Sequence, residues 1–241
     1  MLRDEDVADR MIRPAGDAGI MLDLGSTPDA SINRRVHAAA RQLHRDLEGY
    51  AIEIIPAYAA LLVTYDPVRH TYEDLAAIAR RAVAGAADMP PQGRRRFTVP
   101  AVYGREDGPD LAEVAALHDM SPDDVIALHA GRDYPIYCLG FSPGFPYLGG
   151  LDERLHTPRL DRPRSRVPAG SVAIGGSQTG VYPTSTPGGW RLIGRTPLTL
   201  FDVRVQPPVP YAPGDVIRFQ PIGRDEFDRR RGQMPVGEVI S

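Results

Sequence analysis

Proline and glycine are concentrated in one part of the chain, and they restrict what that part can fold into. Residues 135–221 contain 14 of the 24 prolines and 12 of the 24 glycines. Proline fixes φ and lacks an amide donor, and glycine is a poor helix former, so this density excludes long helices. Apolar runs at residues 171–174 and 198–205 lie between them and predict short β-strands joined by tight turns. We therefore expect a closed or nearly closed β-structure here.

The first 92 residues follow a different pattern. Short strands are predicted at residues 11–13 and 19–24, and again at residues 51–55 and 60–65. Apolar residues at three- and four-residue steps predict one helix after each pair of strands. These residues are Ile32, Val36, Ala39, Leu43 and Leu47 in the first helix and Leu75, Ile78, Ala82 and Val83 in the second. The order ββαββα indicates an antiparallel sheet backed by two helices, and an α+β chain as a whole.

Changes in composition divide the chain. The run MPPQG at residues 89–93 resembles a linker. We therefore expect a two-layer α/β domain at residues 1–92, a β-barrel domain at residues 93–223 and a charged, frayed tail at residues 224–241.

The charged residues exclude several kinds of site. All 28 basic residues are arginine, and the formal net charge is −3. A chain without lysine cannot supply a P-loop lysine or a Schiff base, so an ATP site would need a partner chain. The acidic balance also argues against a nucleic-acid ligand. No run approaches 18 apolar residues, so we expect no membrane span and a cytoplasmic protein. The six histidines lack metal-site spacing, so we expect no metal site.

An arginine-rich, proline-braced segment is the first candidate site. It contains Arg159, Arg164 and Arg166, whose guanidinium groups suit carboxylates and phosphates. The alternative is a solvated loop whose arginines pair with nearby acidic residues, and the residue types leave both interpretations open. These acidic residues are Asp152, Glu153 and Asp161.

Further candidates lie in the same region. Gly176, Ser177 and Gln178 could offer backbone amides to an anion or oxyanion, although a turn between strands is the commoner use of such a sequence. Four aromatic residues could wall a pocket or fill a core. They are Phe145, Tyr147, Tyr182 and Trp190. His129 and His156 are the histidines best placed for a site, and no general base or other catalytic residue is identified.

Several ordered motifs resemble those of the KipI/PxpB family, also called allophanate hydrolase subunit 1. They are GFSPGFPYLGGL at residues 140–151, PR at 158–159, VPAGSVAI at 167–174, QTG at 178–180, PGGW at 187–190 and GRTPL at 194–198. The similarity is collinear from Ile12 to Ile222, and it implies a small α/β domain followed by a cyclophilin-like β-barrel. One departure is Arg105, which stands where a second glycine is expected after Gly104.

The resemblance also implies a function. Members are the PxpB component of an ATP-dependent 5-oxoprolinase that opens 5-oxo-L-proline to L-glutamate, with ATP as co-substrate. The implied partners are a KipA/PxpC-like companion and a LamB/YcsF-like PxpA subunit. In that enzyme, the arginine segment would hold a carboxylate or phosphate charge, and the amides at residues 175–180 would stabilise an oxyanion.

Two alternative functions share the same motifs. One is a KipI-like inhibitor of a sensor histidine kinase. The other is a carboxyltransferase component related to urea carboxylase or allophanate hydrolase. The sequence does not separate them from the 5-oxoprolinase component.

Overall fold

The structure is a computed structural model that describes residues 11–26, 29–86 and 94–240 of the chain. The chain separates into two compact units, divided between Gln92 and Gly93. The linker predicted at residues 89–93 lies outside the described residues.

The N-terminal unit is a four-stranded antiparallel sheet with two helices. The strand order is β1-β2-β4-β3. In chain order the elements are β1 (Ile12–Pro14), β2 (Gly19–Asp23), α1 (Ala30–Asp46), β3 (Ala51–Pro56), β4 (Ala60–Tyr65) and α2 (Tyr72–Gly85). Alternate strand residues such as Leu22 and Leu61 are buried together with Leu43 of α1 and Leu75 of α2. One apolar sheet face therefore packs against the apolar stripes of both helices.

The C-terminal unit contains a closed barrel. In chain order its elements are β5 (Arg94–Tyr103), α3 (Leu111–Leu117), α4 (Pro122–Ala130), β6 (Asp133–Leu139), β7 (Pro146–Leu148), β8 (Arg164–Val167), β9 (Ser171–Gly175), β10 (Gln178–Val181), β11 (Thr186–Gly188), β12 (Arg191–Arg195), β13 (Val216–Pro221), α5 (Arg224–Arg230) and β14 (Gly237–Ile240). Seven strands pair in the order β12-β9-β10-β7-β6-β13-β5, and β5 pairs back with β12. The predicted closed β-structure is confirmed.

The barrel strands bury apolar residues on both faces. Val172 and Ile174 of β9 belong to the main core, which also contains residues of α3 and α4. Ala173, between them in sequence, belongs to a second cluster with Phe145, Trp190 and others. Successive strand residues point to opposite faces of a sheet, so the second cluster lies on the face away from the main core. The two-stranded ribbon of β8 and β11 contributes to it through the buried Val167.

The apolar run at residues 198–205 is not a strand. Residues 196–215 form neither helix nor strand. Five prolines remove amide donors from this segment, which prevents regular pairing. They are Pro197, Pro207, Pro208, Pro210 and Pro213. Leu198 and Leu200 are nevertheless buried in the main core, so the apolar residues pack without a ladder.

The expectation of a frayed tail is wrong for residues 224–240. Helix α5 buries Phe227, which is 3% exposed and lies beneath the guanidinium groups of Arg224 and Arg231. Strand β14 then pairs antiparallel with β5. The charged residues suggested a solvated tail, although the segment contains one buried aromatic side chain and a short edge strand.

We predict that Phe227→Ala lowers the free energy of unfolding by about 3 kcal/mol, because a buried phenyl ring is removed. Val239→Ala is the matched control, since Val239 is 79% exposed in the same segment. That control should change stability by less than about 0.5 kcal/mol. Urea unfolding of both variants measures the difference, and equal stabilities would mean that the segment does not dock.

Candidate functional site

An aromatic cluster forms the base of the candidate site. The Phe145 ring centroid lies 4.9 Å from Tyr147, 5.2 Å from Tyr182 and 5.5 Å from Trp190, all edge-to-face. Phe145, Tyr182 and Trp190 are at most 5% exposed, whereas Tyr147 is half-buried. Edge-to-face packing at these distances is favourable. Phe145, Tyr182 and Trp190 belong to a buried cluster, which favours the core alternative for these three rings, and the pocket wall stays a prediction.

A glycine allows this packing. A Cβ atom on Gly175 would lie 2.5 Å from Cδ2 and Cε2 of Trp190, so the indole can rest on the strand only where no side chain stands. The close approach of ring and backbone explains why glycine occupies the end of β9.

The three candidate arginines have different surroundings. Arg159 is exposed, and its guanidinium carbon lies 5.7 Å from the Trp190 ring centroid. Nη2 of Arg164 donates to Oδ1 of Asp110 over 2.7 Å. Nε of Arg166 donates to the Ser185 hydroxyl over 3.2 Å at the surface. Arg159 has no carboxylate partner among residues 11–26, 29–86 and 94–240, so its charge remains available to a ligand.

Arg164 is held firmly but not completely satisfied. Asp110 is 5% exposed, and its Oδ2 accepts from the Leu192 amide over 2.6 Å, which fixes the carboxylate. Nη1 of Arg164 is buried without a hydrogen-bond partner within the described parts of the chain. An unpaired buried donor is costly, so its presence favours a role in binding.

The acidic residues expected nearby do not neutralise this segment. Asp152 pairs with Arg132 over 2.7 Å and with Arg154 over 2.9 Å. Glu153 and Asp161 form no ion pair with Arg159, Arg164 or Arg166 in the part of the chain that the structure describes. The solvated-loop alternative named the wrong partners, because the Arg164 partner lies 54 residues away in sequence.

Tyr182 lies close to two of the arginines. Burial raises the pKa of its hydroxyl, whereas a hydrogen bond from the Trp190 amide and the charges of Arg159 and Arg164 act in the opposite direction. Of the three candidate arginines, Arg159 contacts the aromatic cluster, through Trp190, and Arg166 is bonded to Ser185 at the surface.

The glycine-rich segment is a hairpin turn. Gly175 and Gln178 are paired across β9 and β10, so Gly176 and Ser177 form a two-residue loop. Gly176 has φ +64°, which suits such a turn. Its amide donates to the Thr157 carbonyl over 2.7 Å. That bond engages the amide assigned above to an oxyanion, and corrects the prediction at Gly176.

Sequence reasoning missed two residues beside this cluster. Phe141 is 61% exposed, has φ +63°, and its ring centroid lies 5.5 Å from Phe145 and 6.2 Å from Tyr182. The hydroxyl of Ser142 is buried without a partner among the described residues. A left-handed φ is unusual for a bulky residue and costs about 1–2 kcal/mol. The signal available was the proline-glycine turn that follows a phenylalanine in GFSPGF.

This loop lines an open cavity of about 390 Å3 formed by residues 139–144. Phe141 lines this cavity and also packs against Tyr182 of the aromatic cluster, with 6.2 Å between the ring centroids. Aromatic edges and guanidinium groups together suit a small ligand with a carboxylate or phosphate.

His129 is part of the barrel core and not of this site. It is fully buried, and Nε2 lies 2.8 Å from the Thr179 hydroxyl, which itself donates to the Ala173 carbonyl. Nε2 must therefore carry the proton, and Nδ1 accepts from the Tyr103 hydroxyl at 2.9 Å. Burial lowers the pKa of His129 to about 3, so it stays neutral. Nε2 of His156 lies 3.3 Å from the Leu151 carbonyl oxygen.

Two further observations limit the chemistry. Burial raises the pKa of the Cys138 thiol to about 11, which disfavours a thiolate nucleophile. Within residues 11–26, 29–86 and 94–240, no three His, Cys, Asp or Glu side chains are grouped as metal ligands would be. Among these residues, no helix has the length and apolar character needed to cross a membrane.

Comparison with known proteins defines the class. Residues 10–211 match the family described as "Carboxyltransferase domain, subdomain C and D". The chain belongs to this family.

Two individual relatives show which members of this family the chain resembles. A Bacillus subtilis (strain 168) protein, named as the B subunit of 5-oxoprolinase, is 40% identical over 226 residues, which cover 90% of this chain and 94% of that protein. A Haemophilus influenzae protein of the same name is 40% identical over 214 residues, which cover 86% of this chain and 96% of that protein. The resemblance to the KipI/PxpB family is thereby confirmed.

Two solved structures share the fold of this chain. The crystal structure of TTHA0988 is 37% identical with a TM-score of 0.73, over 86% of this chain but only 40% of that longer chain. The Kluyveromyces lactis urea carboxylase has the same fold over 95% of this chain and 24% of its own, with a TM-score of 0.74 at 20% identity.

The buried, neutral His129 predicts a loss of stability in acid. The unfolded chain takes up a proton below pH 6.5 and the folded chain only near pH 3, so stability present above pH 6.5 is lost as the pH falls between these values. This loss is the slope of the free energy of unfolding against pH. We expect His129→Gln, whose side chain stays neutral, to lower that slope by up to about 1.4 kcal/mol per pH unit.

Urea unfolding from pH 4 to 6.5 measures the slope in each variant. His44→Gln, at an exposed position, is the control and should keep the wild-type slope. A wild-type slope in His129→Gln would contradict the burial of a neutral imidazole.

Proposed function

We propose that this chain is the PxpB component of an ATP-dependent 5-oxoprolinase, a hydrolase that opens 5-oxo-L-proline to L-glutamate. The observation that carries the proposal is its 40% identity to the Bacillus subtilis relative over 94% of that protein. The chain works with a KipA/PxpC-like and a LamB/YcsF-like PxpA partner. The chain contains no lysine, so an ATP site would need basic residues from a partner chain or would have to use arginine alone. This supports a function that depends on partner subunits.

In this function, Arg159 and Arg164 hold the carboxylate of 5-oxoproline. Arg159 is supported by its exposed position over Trp190, and Arg164 by its unpaired Nη1 and its fixed bond to Asp110. A guanidinium held by a buried carboxylate is already oriented, so less freedom is lost on binding. Arg166, Ser177 and Gln178 are further anion-binding candidates of the same proposal.

The reaction needs activation of a stable lactam. ATP supplies it by transferring its γ-phosphoryl group to the carbonyl oxygen, with ADP as the leaving group. Water adds to the activated carbon, the ring C–N bond breaks to give γ-glutamyl phosphate, and a second water hydrolyses this acyl phosphate to glutamate and phosphate. The part that this chain plays is to bind and orient the substrate, while the general base comes from a partner subunit. Gly176 contributes no amide, since its N–H is bonded to Thr157.

A carboxyltransferase function is the second candidate. The description of the matching family, a carboxyltransferase domain, favours it. In a carboxyltransferase, Arg159 and Arg164 would hold the carboxyl group that is transferred. In the 5-oxoprolinase, they hold a carboxylate that stays on the substrate.

We also propose the domain limits 1–92 and 93–240, with α5 and β14 belonging to the barrel domain. The barrel is cyclophilin-like, as the resemblance implies, and the protein is cytoplasmic.

The first functional prediction is that the purified chain is inactive alone. We expect no release of glutamate from 5-oxoproline and ATP until both partner subunits are added, because this chain lacks a recognisable nucleotide site. A coupled glutamate assay measures this.

Co-expression with the KipA/PxpC-like partner should give one complex on gel filtration, and separate elution at micromolar concentration would contradict the assignment.

The second functional prediction concerns the arginine fork. Arg159→Lys and Arg164→Lys keep the charge but lose the planar donor pair, so each should lower turnover of 5-oxoproline in the reconstituted complex about tenfold, or roughly 1.4 kcal/mol. Stability should fall by no more than about 1 kcal/mol.

Arg162→Lys is the matched control, because Arg162 is exposed in the same segment. It should keep wild-type kinetics. Wild-type kinetics in Arg159→Lys and Arg164→Lys as well would remove both arginines from the substrate site.

A further inference from the structure

Arg105 occupies a backbone position that is suited to glycine. Its φ is +51°, and that of the preceding Gly104 is +72°. The surrounding bonds impose this turn: the Gly104 amide donates to the Ile193 carbonyl over 3.0 Å, and the Gly108 amide donates to the Gly104 carbonyl over 2.8 Å. A side chain at a left-handed position is unfavourable, so an arginine here needs a reason.

This turn lines a cavity at the end of β5. The volume is about 520 Å3, which lies within the range of small-molecule sites. Its lining residues are Val102, Tyr103, Gly104, Arg105, Glu106, Asp107, Ile222 and Arg224. The cavity lies where β5 ends, and it shares none of the residues of the aromatic cluster.

The charges around the cavity leave one arginine unmatched. Nη2 of Arg224 bonds to Asp107, and lies 3.4 Å from Glu106. Nη1 of Arg195 lies 3.9 Å from the same Asp107. Arg105 has no carboxylate partner within residues 11–26, 29–86 and 94–240. Among the lining residues, two guanidinium groups balance two carboxylates, but both carboxylates contact Arg224, so the Arg105 guanidinium is the one without a carboxylate.

The donors also suit an anion. Both carboxylates contact the same nitrogen of Arg224, and its other nitrogens have no hydrogen-bond partner among the described residues. The Tyr103 hydroxyl is committed to His129, so the tyrosine offers the cavity its ring. A cavity with one unpaired guanidinium, one partly paired guanidinium and an aromatic wall favours a small organic anion.

We propose that this cavity is a second ligand site, which binds a small anion bearing a phosphate or a carboxylate, with Arg105 as its principal ligand and Arg224 as the second. The site is independent of the 5-oxoproline assignment. Glycine at position 105 would give the same turn without the site, so the arginine confers binding on this particular chain.

The test uses the purified full-length chain at low ionic strength. Isothermal titration calorimetry with inorganic phosphate, and separately with succinate, measures binding and distinguishes the two anion types. We expect saturable binding of at least one probe at millimolar concentration or below. Arg105→Gly should weaken it at least tenfold, and the thermal midpoint should stay unchanged or rise, because glycine relieves the left-handed φ.

Two further variants make the result specific. Arg105→Lys keeps the charge without the fork and should bind with intermediate affinity. Arg162→Gly is the control, because Arg162 is exposed and lines neither cavity, and it should leave the affinity unchanged. The proposal is overturned if the wild-type chain shows no saturable binding, if Arg105→Gly binds as tightly as the wild type, or if Arg162→Gly loses as much affinity as Arg105→Gly.

Discussion

The pairing of β5 with β12 is the constraint on which the C-terminal unit depends. Only two residue pairs, Gly194 with Tyr103 and Arg195 with Val102, close the barrel. A Cβ atom on Gly194 would lie 2.5 Å from the Val102 carbonyl oxygen, so closure needs glycine there. The chain after β5 continues to bond to β12, through Gly104 to Ile193 and through Asp110 to Leu192. Closure therefore positions both the Arg105 turn and Asp110.

Asp110 connects this closure to the candidate site. Its carboxylate accepts from the Leu192 amide at the barrel and from Arg164 in the arginine segment. Because the carboxylate is buried, removing either donor would leave a charge that is expensive to desolvate. The orientation of Arg164 thus follows from the barrel, whereas Arg159 is oriented by the Trp190 ring that rests on Gly175. Arg164 lies on the β8–β11 ribbon, and Arg159 lies in the irregular segment before it.

Most residues of the candidate site could be predicted from the sequence, but their burial and their ion-pair partners could not. The aromatic residues pack on one another, and the Arg159 guanidinium lies over Trp190. Which rings were core and which arginine was paired could not be predicted, because burial and ion pairing depend on segments far apart in sequence. Phe141 and Ser142 were missed because the turn signal in GFSPGF indicates a loop but not which of its residues has a left-handed φ or an unpaired hydroxyl. The C-terminal strand was missed because four edge residues are too few for a pattern.

The sequence by itself determined what depends on neighbouring residues. The spacing of proline and glycine excluded long helices, the capping box of Thr71 and Asp74 is present, and Gly176 forms the expected turn. Such features rest on contacts within about four residues, so a local pattern is sufficient. The tertiary structure alone decided that Asp110 holds Arg164, that Phe227 is buried and that Arg105 lines a cavity. These contacts join segments that only the closure of the barrel brings together, and no local periodicity encodes them.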